Sequence, residues 1–333
     1  VSRVLVTGGA GYIGSHAVRA LGEAGHSVVV LDDLSAGHPK AVVTGVPLVR
    51  ASTGDAAAVR GALRDHQIDA VMHFAAWLDV GASVHDPLGY YHNNVIGSLT
   101  LLGAMIEAGV RRFVFSSTCA VYGEPSSVPL VESLELRPIS PYGETKLAVE
   151  RALGHLDRAY GLRWIALRYF NASGAHPDGT IGEDHDPEIH LIPRAIGAAR
   201  GGTPLRVFGE DYPTPDGTCI RDYIHVCDLA DAHVRALNAL EEGRSSRAYN
   251  AGTGRGHSVR EVLDTVGRVV GQPVPWTPAP RREGDPAALF ASSERLQQDL
   301  GWTPRYPDLE TIVRHAWHWH RTHPHGYRTA VSL

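Results

Sequence analysis

The 333-residue sequence predicts an α/β protein: a doubly wound parallel sheet of the Rossmann type followed by a smaller α/β domain. Three observations predict it. The first half alternates short β-branched runs with longer amphipathic stretches, the pattern of parallel strands joined by helical crossovers. A glycine triplet, Gly8, Gly11 and Gly14, follows the first run and opens a helix, and Asp32 lies 18 residues beyond it at the end of the second run. Beyond Asn171 the alternation loses its regularity, and Gly, Pro, His and Asp become dense over 173–187 and again over 201–217.

The predicted strands are 3–7, 27–31, 47–50, 70–74, 112–116 and 164–168. The first crossover helix ends near Gly25. Asp86-Pro87 and Ser140-Pro141 each put a capping side chain before a proline at the first helical position, predicting helices that run to about Ala108 and Tyr160. The expected division is 1–172 for a dinucleotide-binding domain and 173–333 for a substrate-binding domain, with segments of the second returning to pack on the first. With no flexible linker between them, they are expected to share a ligand-binding cleft.

Composition narrows the function. Glycine and proline together are about 17% of the chain, below the level of low-complexity sequence. The net charge is −5, and the cations are 29 arginines and 2 lysines without a basic run, which argues against a nucleic-acid partner. No apolar run reaches membrane-spanning length, and the sequence opens directly on its first strand, so no membrane partner is expected. Cys119, Cys219 and Cys227 imply no disulfide framework, which suits a cytoplasmic protein.

The glycine triplet brings backbone N–H groups and a helix N-terminus against a pyrophosphate, and its last glycine lets the helix pack on the sheet. Asp32 is placed to accept hydrogen bonds from ribose hydroxyls and to repel the additional phosphate of NADP; with Asp33 beside it, NAD is the expected cofactor. Tyr142 and Lys146 stand four apart on one face of the helix capped by Ser140. With 12 tyrosines and two lysines in the chain, about 0.07 such pairs arise by chance. A cation beside the phenol favours the phenolate, so Lys146, helped by the positive charge of an oxidised nicotinamide, is expected to lower the pKa of Tyr142, and Thr118 offers a hydroxyl to bridge tyrosine and substrate. The histidines of the C-terminal segment, His315, His318, His320, His323 and His325, form no obvious ligand set, so no metal is expected and a helix with aromatic anchors is.

The residues resemble the extended short-chain dehydrogenase/reductases and, within them, the UDP-glucose (UDP-galactose) 4-epimerases over nearly the whole length. The first half carries 8–16, 90–95, 140–143 and 167–171; the second carries 211–214, 221–226 and 279–285, which resemble a nucleotide-sugar site. The resemblance implies that Tyr142 takes the proton of the sugar 4-hydroxyl while C4 is oxidised by tightly bound NAD. The transient 4-keto sugar then turns over and is reduced on its other face. It implies NAD contacts at Gly8, Gly11, Tyr12, Ile13, Gly14, Asp32, Asp33, Leu34, Ser35 and Gly37, and at Ser52, Thr53, Phe74, Ala75, Ala76, Leu78 and Asn93. Thr118, Tyr142, Lys146, Tyr169 and Phe170 complete that set.

For the UDP-sugar, the resemblance implies Thr118, Tyr142, Asn171, His190, Leu191, Arg206, Val207, Phe208, Arg221, Tyr223, Val259, Arg282, Asp285 and Leu289. The two arginines Arg221 and Arg282 suit pyrophosphate oxygens, and Asp285 suits ribose hydroxyls. Cys119-Ala120 stands where water-eliminating relatives have an acidic pair, which favours epimerisation over dehydration. Ser52-Thr53 replaces an Asp followed by an apolar residue near the adenine, Leu78 replaces a lysine near the cofactor, and Leu289 bounds the sugar pocket. A homodimer through the helices after Asp86 and Ser140 is expected. The alternatives are a 4-epimerase of another UDP sugar (an N-acetylhexosamine, uronate or pentose) and a non-catalytic NAD-binding sensor.

Overall fold

The structure, a computed structural model, describes residues 1–282 and 285–328. Glu283 and Gly284 of the 279–285 stretch, and positions 329–333 of the expected second domain, lie outside the described residues. In chain order the first half runs β1 Arg3–Thr7, α1 Tyr12–Glu23, β2 Ser27–Asp32, β3 Leu48–Arg50, α2 Ala56–Asp65, β4 Ala70–His73, α3 Val80–His85, α4 Pro87–Tyr90, a π turn Tyr91–Ile96, α5 Gly97–Glu107, β5 Arg112–Ser116, α6 Pro141–Tyr160 and β6 Arg163–Arg168. The second half runs β7 Asn171–Ser173, α7 Leu191–Ala199, β8 Leu205–Phe208, β9 Ile220–His225, α8 Val226–Glu241, β10 Arg247–Asn250, β11 Gly256–Ser258, α9 Val259–Val270, β12 Trp276–Ala279, β13 Ala288–Leu289, α10 Glu294–Leu300 and α11 Leu309–Thr322.

The main sheet has seven strands in the order β10-β6-β5-β4-β1-β2-β3, all parallel. The sequence predicts six; the seventh, β10, is a four-residue strand from the second half, too short to announce itself by periodicity. Strand order reverses between β1 and β4, and the crevice at the carboxyl ends of these strands is where ligands of open α/β sheets bind. The strands are buried on both faces. One face packs with α1 and α8, through Leu21, Leu229, Leu237 and Trp302; the other packs with α2, α5 and α6, through Val59, Leu102, Met105 and Leu153.

Local signals explain the helix ends. Ser140 Oγ accepts the Gly143 N–H at 3.2 Å ahead of Pro141, and α6 stops at Gly161 with φ of 67°. Asp86 Oδ1 likewise accepts the Gly89 N–H at 2.9 Å. The helix predicted from there to Ala108 is instead three pieces, because the Asn94 side chain is drawn inward: its Oδ1 accepts the Trp77 N–H at 2.8 Å, and its amide donates to the Trp77 carbonyl and Thr145 Oγ1. The backbone widens into the π turn to let it, a feature common beside functional sites.

The second lobe packs α7, α9 and α11 against β8 and β9 around Ile196, Val207, Tyr223, Val262, Ile312 and Val313. In α11, Trp319 is fully buried and donates its indole N–H to the Glu183 carbonyl at 2.9 Å. None of the described helices is long and apolar enough to cross a membrane.

Three histidines are buried in the Rossmann lobe. Burial lowers His16 and His233 to about 4 and His73 to about 3. Below the unfolded value near 6.5 the unfolded chain binds protons that these folded groups refuse, so stability falls as the pH drops from 6.5 toward 4. Urea titrations at pH 7 and pH 5 will show the loss, at about 1.4 kcal/mol per histidine per pH unit across that window. His233→Leu will flatten the dependence; equal stabilities of the native protein at the two pH values would refute the assignment.

Candidate active site

The crevice opens into a cleft of about 970 Å³ between the main sheet and the second lobe. Its first wall is the loop after β1. Gly8 turns with φ of 72°, and a Cβ there would lie 2.6 Å from the Ala75 nitrogen; one on Gly14 would lie 2.0 Å from the Gly8 carbonyl oxygen. Only glycine permits so close a loop. Gly11 caps α1 without any side-chain hydrogen bond, leaving the N–H groups of the first turn for a ligand, with Tyr12, Ile13 and Gly14 lining the cleft. The Tyr12 hydroxyl is anchored across the lobes on the Gly174 carbonyl at 2.7 Å.

Asp32 ends β2 in the cleft. It accepts the Ala10 N–H at 3.0 Å and the Leu34 N–H at 2.9 Å, and burial raises its pKa against those two bonds. Asp33, Ser35 and Gly37 line the same rim. Leu34 does not. It sits at φ of 63°, with its N–H donated to Asp32 and its side chain off the cleft lining. Ser52, Thr53, Phe74, Ala75, Ala76, Leu78 and Asn93 form the opposite side of this compartment.

At the cleft floor, Tyr142 and Lys146 project from α6 beside Thr118, which follows β5. The Thr118 hydroxyl hydrogen-bonds the Tyr142 phenol and accepts the Ala120 N–H at 3.1 Å. Lys146 Nζ donates to the Ser116 carbonyl at 2.9 Å and lies 5.9 Å from the Tyr142 ring centre. In the protein alone the lysine does not lower the tyrosine. Burial pushes Tyr142 up to about 12 despite the Thr118 bond, and it pushes Lys146 down to about 7 despite Glu150. Burial disfavours charge on both groups, and the Lys146 amine is turned toward a carbonyl rather than the phenol. Tyr169 and Phe170 also line the cleft, with the Tyr169 hydroxyl bonded to Ser116 Oγ.

In the second lobe, Asn171, His190, Arg221, Arg282, Asp285 and Leu289 line the cleft as expected. Arg221 is ion-paired with Asp285, and the Arg282 guanidinium stacks 4.1 Å from the Phe208 ring centre. Six other expected residues stand back. Val207 and Tyr223 are drawn into the second lobe's apolar core and Leu191 and Val259 pack against it half-buried, because burying apolar area outweighs exposing it to a cleft. Arg206 is exposed on β8 and stacks at 5.3 Å on Phe208, which itself reaches the site only through Arg282.

The sequence reading missed His185, Arg194, Trp77 and Ile139, all of which line the cleft. Arg194 had a signal, standing four residues after His190 at the start of α7. A larger omission is Glu150, four residues after Lys146 on α6. Its carboxylate receives Arg168 through Nε at 3.0 Å and Nη2 at 2.5 Å, and Ser117 Oγ at 2.5 Å, all buried. Arg168 also donates to the Tyr122 hydroxyl at 3.0 Å, which donates to Asn250 Oδ1 at 2.7 Å. This network fastens the loop bearing Thr118 to the helix bearing Tyr142 and Lys146.

The fold and this site together define a class. The chain belongs to the NAD dependent epimerase/dehydratase family, whose model matches residues 4–252. Its similarity runs further than that model. It is 53% identical to UDP-glucose 4-epimerase of Halalkalibacterium halodurans, covering 98% of each chain. Its structure superposes on UDP-glucose 4-epimerase from Brucella ovis in complex with NAD at a TM-score of 0.93, with 50% identity over 96% of this chain and 98% of that one. A Stenotrophomonas maltophila UDP-glucose 4-epimerase with bound NAD and formylated UDP-arabinopyranose gives 0.94, with 43% identity over 97% and 99%.

Removing one partner of the buried pair tests the network. Glu150→Gln leaves Arg168 buried and uncompensated, and is expected to cost about 3–5 kcal/mol in chemical denaturation. A loss under about 1 kcal/mol would show that the pair is screened and the scaffold is held otherwise.

Proposed function

We propose that this cleft catalyses the reversible C4 epimerisation of a UDP-hexose, UDP-galactose to UDP-glucose, with tightly bound NAD. The observation that carries the reading is the Thr118–Tyr142–Lys146 group set at the junction of two anion-binding walls. One wall is the glycine loop and α1 N-terminus; the other holds Arg221 and Arg282. Such a cleft suits two pyrophosphates meeting end to end over one tyrosine.

Gly8, Gly11, Ile13 and Gly14 would hold the NAD pyrophosphate, and Asp32 the adenosine ribose; the loop that a Cβ would block and the uncapped helix end support that fit. NAD, when bound, supplies a reversible two-electron acceptor beside one sugar carbon. The Tyr142 oxygen takes the 4-hydroxyl proton, directly or through Thr118, and returns it after the 4-keto sugar has presented its other face. Lys146 holds the phenolate and a ribose hydroxyl. The sugar carbon is oxidised and reduced in one turnover, so no oxidant or reductant is consumed. Cys119, whose thiol burial pushes well above its usual value, and Ala120 offer no acid–base pair for elimination, which supports epimerisation over dehydration.

The chain is read as two lobes, 1–172 for NAD and 173–333 for the sugar nucleotide, with 226–250 returning to the first. Three free cysteines support a cytoplasmic location. A homodimer is read from Leu88, Tyr91, Ile96 and Leu99, which stand exposed along α4, the π turn and α5.

Incubation with UDP-galactose and no added reductant should yield UDP-glucose, and Tyr142→Phe should lower the rate on the order of 10²–10⁴-fold. No turnover with added NAD would overturn the reading. Light scattering should report a dimer for the native chain and a monomer for Leu88→Glu/Ile96→Glu; an unchanged mass would remove that face from the interface.

A further inference from the structure

Four metal-type ligands from one loop converge beside the cleft, and the epimerase reading uses only one of them, His190. Glu183, His185, Glu188 and His190 lie between Ile181 and α7, each offering one ligand atom, with all four atoms within 4.8 Å of one another. The Glu183 side chain is nearly fully buried. Its Oε1 lies 2.5 Å from His190 Nδ1 and 3.2 Å from His185 Nδ1, and Glu188 lies 3.5 Å from His190 Nδ1 and 3.8 Å from His185 Nδ1. These are ion-pair separations, yet the ring N–H groups do not align with the carboxylate oxygens, so Glu183 Oε1 and both Nδ1 atoms lack a well-formed hydrogen bond. Buried polar atoms that meet without bonding are rare and need an explanation.

We propose that these four side chains form a divalent transition-metal site of the zinc class at the cleft rim. The donor set is right for it: two imidazole nitrogens and two carboxylate oxygens suit Zn²⁺, whereas Mg²⁺ and Ca²⁺ favour oxygen alone. The spacing is right as well. A tetrahedron with ligand bonds of about 2.0–2.1 Å has edges of about 3.3 Å; Glu183 and His185 already stand at 3.2 Å, and all four ligand atoms lie within 4.8 Å, so small side-chain adjustments would close the set. Charge closes too, because two carboxylates with two neutral imidazoles match one dication. Without an ion the same four groups form imidazolium–carboxylate pairs with ring centres 5.2 Å apart, and a bound dication would replace both ring protons.

The surroundings supply the support that ligands need. The Glu183 carbonyl is held by the Trp319 indole at 2.9 Å, and Glu188 Oε1 accepts the His190 N–H at 2.9 Å. An ion there would tie the loop to the start of α7 and fix His185 and His190, both of which line the cleft. The proposal departs from the sequence expectation of no metal. That expectation weighed the C-terminal histidines, while the ligands are packed into eight residues of an irregular loop with no helical or Cys-x-x-Cys spacing to mark them.

The test uses the tag-free full chain, stripped with a chelator and titrated with Zn²⁺ by calorimetry and with Co²⁺ by visible absorption. One ion per chain is expected, with the intense d–d bands of tetrahedral Co²⁺. Glu188→Gln and His185→Gln, each checked for folding by circular dichroism, should weaken binding at least about tenfold. Absence of stoichiometric binding would overturn the proposal. So would binding that survives both substitutions and is lost in His318→Gln, which would place the ion on the surface histidines of α11. Neither readout depends on turnover, so failure here and failure of the epimerase reading are distinguishable.

Discussion

The buried pair of Glu150 and Arg168 is the constraint on which the site depends. Two charges removed from water are costly, and they are tolerated only when geometry and additional hydrogen bonds replace the lost solvation. Here the pair is bidentate, Ser117 caps one carboxylate oxygen, and Tyr122 shares the guanidinium. The groups come from four elements: α6 with Glu150, the turn after β5 with Ser117 and Tyr122, the end of β6 with Arg168 and, through Asn250, the end of β10. Satisfying one ion pair therefore fixes four elements at the carboxyl edge of the sheet. Thr118, one residue from Ser117, and Lys146, one turn before Glu150, take their positions from it.

A second constraint acts from the other side of α6. Asn94 is buried and has no room for unsatisfied amide atoms, so it reaches the Trp77 backbone and Thr145. The π turn is the backbone's accommodation to that demand. It also turns Asn93 to the cleft, one residue before the anchored amide. The polar anchors thus flank the catalytic helix, while the apolar residues of α2 and α5 carry the packing behind it.

What the sequence made legible was whatever depends on short spacing. The strand–glycine–helix run, the acid at the end of β2, the Ser-Pro helix start and the Tyr142/Lys146 pair are all fixed within a few residues, so local rules reach them. What it hid depends on contacts between distant segments. β10 is a strand because β6 lies open beside it, and Arg168 became essential only because Glu150 faces it across the fold. For the sugar-nucleotide wall, resemblance named the correct segments, but burial redistributed their side chains. Tyr223 and Val207 went to the core, while Arg194 and His185 came to the cleft. Leu34 lies within the same loop, yet its positive φ turns its side chain off the cleft lining and its amide onto Asp32.

The cleft floor resists charge on its acid–base groups. Desolvation disfavours charge on both Tyr142 and Lys146, raising one and lowering the other, and the two shifts bring their affinities for a proton apart in the wrong order for an ion pair. A phenol left at about 12 is a poor base at neutral pH. Such a tyrosine becomes competent only when positive charge is brought beside it, which ties proton removal to the presence of a cation in the cleft. That coupling is useful in a reaction that must not release its oxidised sugar. A base that is weak by default and strengthened only in the assembled complex leaves the sugar hydroxyl untouched until the oxidising partner is in place. The burial that makes Tyr142 look unpromising in the protein alone is, on this argument, what confines its chemistry to the productive state.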